Sequence, residues 1–143
     1  MLDTFLPKKI KLLLELIRFN KPIGFYLLVW PCFFGLASID SQLIYYFKWY
    51  ALFLIGSFTM RSAGCIINDA VDINVDKKVK RTENRPLAAK KVSIPEAMIF
   101  LLLLLLASLL VLIQFNQKTI FISLLCLPLI FLYPFMKRYT YFP

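Results

Sequence analysis

Four long apolar runs, divided by alternately basic and nearly uncharged connections, constrain this chain more than any other feature. They cover residues 22–39, 45–71, 96–115 and 119–136. A helix needs about 20 apolar residues, at ~1.5 Å each, to cross a hydrocarbon core ~30 Å thick. With 60% hydrophobic residues and a mean hydropathy of +0.73, the chain reads as an all-α, multi-span transmembrane helical bundle. The second run is longer than the core is thick, so its far end should tilt or protrude. Pro128 and Pro134 should kink the fourth. Ahead of the first, residues 8–20 repeat Lys8, Lys11, Glu15 and Arg18 on one side and Ile10, Leu13, Leu14 and Ile17 on others. That pattern predicts an amphipathic helix lying in the membrane interface or packed on the protein. No internal repeat and no soluble domain is legible, so residues 1–143 form a single unit.

The basic residues set the orientation. Lys8, Lys9, Lys11, Arg18 and Lys21 precede the first run; Lys77, Lys78, Lys80, Arg81, Arg85, Lys90 and Lys91 lie between the second and third; Lys137 and Arg138 follow the fourth. The other two connections carry Lys48 and Lys118 alone. By the positive-inside rule both termini and the segment after the second run face the cytoplasm, as in a bacterial inner membrane. The net charge of +9 is therefore a matter of topology and phosphate contact rather than of nucleic acid.

Acids are scarce, yet Asp69, Asp72 and Asp76, 3 of the 8 in the chain, crowd the end of the second run. There is no histidine, which excludes Ser-His-Asp catalysis, a histidine base and histidine-ligated zinc. Cys32, Cys65 and Cys126 lack metal-ligand spacing and read as small buried hydrophobes. On a helix Asn68, Asp72 and Asp76 stand at i, i+4 and i+8 on one face, with Arg61 on the same side and Asp69 rotated by ~100°. Acidic residues at a helix C-terminus are unfavourable by up to ~1 kcal/mol each. Two accounts offset that cost: ion pairs with Lys77, Lys78 or Arg81, or a bound divalent cation. All-oxygen donors suit Mg²⁺, or Mn²⁺ in its place, and Mg²⁺ held by few protein ligands completes its shell with water and substrate phosphate. Asn68 and Asp72 are close enough to share one ion, whereas Asp76 acts through water or holds a second. In the loop that follows, Arg81 and Arg85 suit bidentate phosphate contacts, and Pro86 holds Arg85 extended. Arg61, within the run, needs a partner in its low-dielectric surroundings.

Arg61-Ser62-Ala63-Gly64-Cys65-Ile66-Ile67-Asn68-Asp69-x-x-Asp72-x-x-x-Asp76, followed by Arg81-Thr82-x-Asn84-Arg85-Pro86-Leu87, resembles the first aspartate-rich motif of the intramembrane aromatic prenyltransferases. Within that family the similarity is greatest to the branch acting on 4-hydroxybenzoate. Arg18-Phe19-Asn20-Lys21-Pro22-Ile23-Gly24 and Tyr133-Pro134-Phe135-Met136-Lys137-Arg138-Tyr139-Thr140 resemble the family's first-span start and fourth-span ending. The resemblance implies Mg²⁺-dependent transfer of a polyprenyl group from its diphosphate to 4-hydroxybenzoate in ubiquinone synthesis. It implies that Asn68, Asp72 and Asp76 hold Mg²⁺. Arg81, Arg85 and Lys137 would neutralise the diphosphate, Arg61 would face the reacting groups, and Arg18 would meet the aromatic carboxylate. The family fold has nine spans and a second aspartate-rich cluster, whereas only Glu83 and Glu96 follow Asp76 here. The expectation is an N-terminal half, truncated or split and inactive without a complementary C-terminal half. Other readings are a prenyltransferase for a haem- or menaquinone-pathway acceptor, a noncatalytic membrane fragment, and a cation-transport subunit. The last would want its acids along the membrane interior rather than beside a basic loop.

Overall fold

The computed structural model describes residues 7–38 and 43–136. In chain order these form α1 (Lys8–Leu16), α2 (Ile23–Ala37), α3 (Leu43–Val71), the single turn α4 (Ile73–Asp76), α5 (Ile94–Leu112) and α6 (Gln117–Met136). Among the described residues three segments are long and apolar enough to cross a membrane: Phe47–Val71, Ile94–Leu112 and Gln117–Met136. The sequence predicted four. The remaining run, residues 22–39, is represented by α2, whose 15 residues reach only ~22 Å at ~1.5 Å each. Residue 39, at its predicted end, lies outside the described residues.

The central element is α3, which packs against α2 and α5 and, less extensively, against α6. It runs 29 residues, or ~43 Å, so it outreaches the hydrocarbon as its sequence required. Midway along the α3–α5 contact, Ser108 Oγ donates to Thr59 Oγ1 at 2.7 Å. Thr59 Oγ1 in turn donates to the Ile55 carbonyl one turn back, at 3.0 Å. Small hydroxylated residues at such a contact let helices approach and satisfy each other's polar groups where lipid cannot. α6 passes through Pro128 and Pro134 without interruption.

Two helix ends follow from local chemistry. α5 begins earlier than the hydropathy predicts because Ser93 and Glu96 form a reciprocal capping box and Pro95 sits in the first turn, where it loses no intrahelical bond. α1 stops at Leu16 rather than near residue 20. Arg18 there adopts a left-handed conformation, φ 57, with Phe19 N–H donating to the Leu14 carbonyl and Arg18 N–H to that of Glu15, both at 3.0 Å. This is a Schellman termination whose usual glycine is replaced by arginine, at a backbone cost of ~1 kcal/mol.

The core gathers at the end of the bundle where α1, the C-terminal part of α3 and the start of α5 meet. Leu16, Ile17, Ala63, Ile66, Leu87 and Ala97 are all buried there. Each large side chain contributes roughly 1.5–3 kcal/mol on leaving solvent. Much of the remaining apolar surface, along α5 and α6 especially, faces outward, as in a protein solvated by lipid.

Candidate functional site: a carboxylate–arginine cluster at the end of α3

Four of those core side chains adjoin the charged residues that matter. Leu16 and Ile17 precede Arg18, Ile66 lies one turn before Asp69, and Leu87 follows Arg85 by two. Packing the apolar anchors therefore delivers two arginines and a carboxylate from three separate segments to one place. Asp69 is 2% exposed, and its Oδ1 accepts from Arg18 Nη2 at 2.6 Å and from Arg85 Nη1 at 3.1 Å. The same Arg85 nitrogen donates to Asp76 Oδ2 at 2.7 Å. Arg85 thus ties the end of α3 to α4, and Thr82 closes the intervening loop by donating to the Asp76 carbonyl at 3.2 Å.

The geometry differs from the simple helical face. α3 ends at Val71, and Asp72, with φ -87 and ψ 5, forms a break before α4. Asp72 N–H still donates to Asn68 O at 3.0 Å, and Asp76 N–H to Asp72 O at 2.8 Å, so the three predicted metal residues remain successive turns of a bent path. Asn68 and Asp72 are half-buried; Asp76 is buried against Arg85. The ion pairs that hold Asp69 and Asp76 come from Arg18 and Arg85, not from the Lys77, Lys78 or Arg81 that the sequence offered. Asp69 is the residue that sequence reasoning missed. Its partner Arg18 is 51 positions away, and no periodicity within one helix reveals a contact of that kind.

Arg61 lies one helical turn before Cys65 and donates to its Sγ. Its guanidinium rests against α2 at Gly24, where an added Cβ would lie 2.8 Å from Arg61 Cζ. Phe58, one turn earlier on α3, meets Phe19 and Phe25 edge-on at 6.3 and 6.2 Å, walling this side with aromatic rings. Arg81 is exposed on the loop. Lys137 lies outside the described residues.

The donor set can be weighed against a divalent ion. Among the described residues no three carboxylate or thiol groups come together as a metal cluster. Asn68 and Asp72 offer oxygen only, adjacent by one turn, which fits Mg²⁺ in kind; two protein ligands leave the rest of an octahedral shell to water and phosphate. Asp76 accepts from Arg85 through Oδ2, and its second carboxylate oxygen is the one that could face an ion.

Long lipid-facing helices around a buried acid–arginine cluster define an all-α integral membrane protein with its charged site at one end of the bundle. The chain belongs to the UbiA prenyltransferase family, whose model matches residues 28–143. It is 41% identical to a 4-hydroxybenzoate octaprenyltransferase of Blochmanniella pennsylvanica (strain BPEN), an alignment covering 97% of this chain and 48% of that protein. Over 91% of the chain and 44% of the relative, it is 46% identical to the protein of that name from Pseudomonas fluorescens (strain Pf0-1). A 4-hydroxybenzoate geranyltransferase 1 of Lithospermum erythrorhizon is 40% identical over 99% of the chain and 46% of its own length. The chain spans about half the length of the curated relatives it matches. No solved structure matches it.

Proposed function

We propose that this chain supplies the N-terminal half of the site of a 4-hydroxybenzoate polyprenyltransferase of ubiquinone synthesis. Its substrates would be a polyprenyl diphosphate and 4-hydroxybenzoate, with a complementary C-terminal half as partner in a bacterial inner membrane. The names of its relatives supply the acceptor and the prenyl donor. The observation that carries the reading is the convergence of Arg18 and Arg85 on buried Asp69, directly beside Asn68 and Asp72 at the end of α3. Cations held in place next to oxygen donors suit a diphosphate.

In the reaction the C–O bond between the allylic carbon and the diphosphate breaks, the phenol ring forms a new C–C bond to that carbon, and the ring proton leaves. Mg²⁺ held by Asn68 and Asp72, when bound, supplies charge neutralisation for the departing diphosphate. Arg85, fixed between Asp69 and Asp76, presents its remaining N–H groups without reorganisation, which is what electrostatic stabilisation of a leaving group demands. Arg81 and Lys137 add positive charge from the loop and from the end of the fourth span. Arg61, paired with a thiol rather than a carboxylate, is assigned to the acceptor's carboxylate. Arg18 is already committed to Asp69 and acts as a positioning residue. The apolar walls of α2 and α3 exclude water from the allylic cation, and the acidic motif faces the cytoplasm.

Membranes carrying the chain, with and without the complementary half, test this when given Mg²⁺, 4-hydroxybenzoate and a polyprenyl diphosphate. Prenylated acid should form with the pair and be lost in Asp72→Ala. Unchanged turnover in that variant removes Asp72 from its role.

A further inference from the structure

A second charged feature stands apart from the acid–arginine cluster. Between α1 and the start of α5 lies a cleft of about 310 Å³. Lys8, Lys9 and Lys91 line it, with Glu96 as the one carboxylate. Its remaining walls are Leu12, Leu13 and Val92. Glu96 Oε1 is 2.5 Å from Lys9 Nζ, so one ammonium is matched and an excess of two positive charges is left. Lys91 is steered by its long hydrogen bond to the Asn84 carbonyl, at 3.5 Å.

We propose that this cleft binds the headgroup phosphate of an anionic phospholipid. Charge sets the sign of the ligand: lysine ammonium groups at a membrane surface attract anionic headgroups by about 1 kcal/mol each. The cleft's two-sided chemistry sets the class. Lysines alone would suit any soluble anion, but Leu12 and Leu13 of α1 lie under them and offer an apolar bed for the glycerol and upper acyl carbons. The placement agrees, since α1 has its charged residues on one side and leucines against the bundle, the form of a helix lying in the interface. Lysine stems can rest on such a bed while their heads stay in the headgroup layer. Bound lipid would bridge α1 to α5 across the charge contact between Lys9 and Glu96. The inference is independent of the proposed chemistry and uses none of its residues.

The test uses the whole chain in nanodiscs of phosphatidylcholine containing one-fifth phosphatidylglycerol, released into the gas phase for native mass spectrometry. Phosphatidylglycerol should be retained over phosphatidylcholine at least fivefold above its bulk ratio. Lys8→Gln/Lys91→Gln should remove that enrichment, while Lys77→Gln/Lys78→Gln, exposed cations on the neighbouring loop, should keep it. Glu96→Gln, which can still cap α5, should raise retention severalfold and so gives a gain that poor folding cannot imitate. Equal loss in both lysine pairs would show a diffuse surface field and overturn the proposal. Displacement of the lipid by millimolar glycerol phosphate would overturn it in favour of a soluble phosphate ligand.

Discussion

Replacing Asp69 by Asn isolates the arrangement on which the site depends. The substitution keeps the shape and one acceptor oxygen but removes the charge to which Arg18 and Arg85 both donate, at 2.6 and 3.1 Å. A hydrogen bond to a charged group contributes about 1.5–3 kcal/mol, and breaking a fully buried pair costs about 3–5 kcal/mol. The arginines are 28% and 25% exposed, so water recovers part of the loss and a net destabilisation of ~2 kcal/mol is expected. Asp76→Asn should cost less, ~1 kcal/mol, because Asp76 accepts from Arg85 alone in this cluster and Arg85 keeps Asp69. In a mild detergent the midpoint of thermal unfolding should fall by ~5 °C for Asp69→Asn and by about half that for Asp76→Asn. A cycle with Arg18→Gln should show a coupling of at least ~1 kcal/mol. If Asp69→Asn unfolds with the parent protein, or if Asp76→Asn is the more damaging, the carboxylate is not the tie between α1, α3 and the loop.

Leu87→Ala opens a cavity where the loop is anchored and should cost about 2–5 kcal/mol, with thermal unfolding in detergent as the readout and a loss below ~1 kcal/mol contradicting the anchor. Gly24→Ala forces the Arg61 guanidinium aside; in the reconstituted enzyme it should raise the KM for the acid acceptor about tenfold, or ~1.4 kcal/mol. It should add nothing on an Arg61→Ala background, and additive losses would separate the two residues. Ser108→Ala removes the interhelical hydroxyl contact and should lower stability by only ~0.6 kcal/mol, measured by the same unfolding assay; a loss several times larger would make that contact a principal fastening of α3 to α5.

The elements were legible because lipid imposes so simple a code. Three of the four apolar runs appear as helices of spanning length, with bounds shifted by two or three residues at most. The α5 start was encoded in Ser93-Ile94-Pro95-Glu96, a signal that hydropathy alone overlooks. The α1 end was not encoded, since its left-handed residue is Arg18 rather than the glycine that marks such a stop. In the site, Asn68, Asp72 and Asp76 stand out by composition and spacing. The wiring does not, because Asp69 gains its meaning from Arg18 and Arg85, brought in by the burial of Leu16, Ile66 and Leu87. A helical wheel of one segment contains none of those partners, so it placed Asp69 off the working face. Nor does it contain Arg85, which the fold brings to Asp76 Oδ2 from nine positions on.

The most direct measurement is the affinity of the chain, joined to its complementary half, for an isoprenoid diphosphate titrated with and without Mg²⁺. Binding should strengthen at least tenfold with the ion, and Asp72→Ala should abolish that difference while leaving the helices intact by circular dichroism. Equal affinity with and without the ion in the unaltered protein would contradict a magnesium-gripped diphosphate at the end of α3.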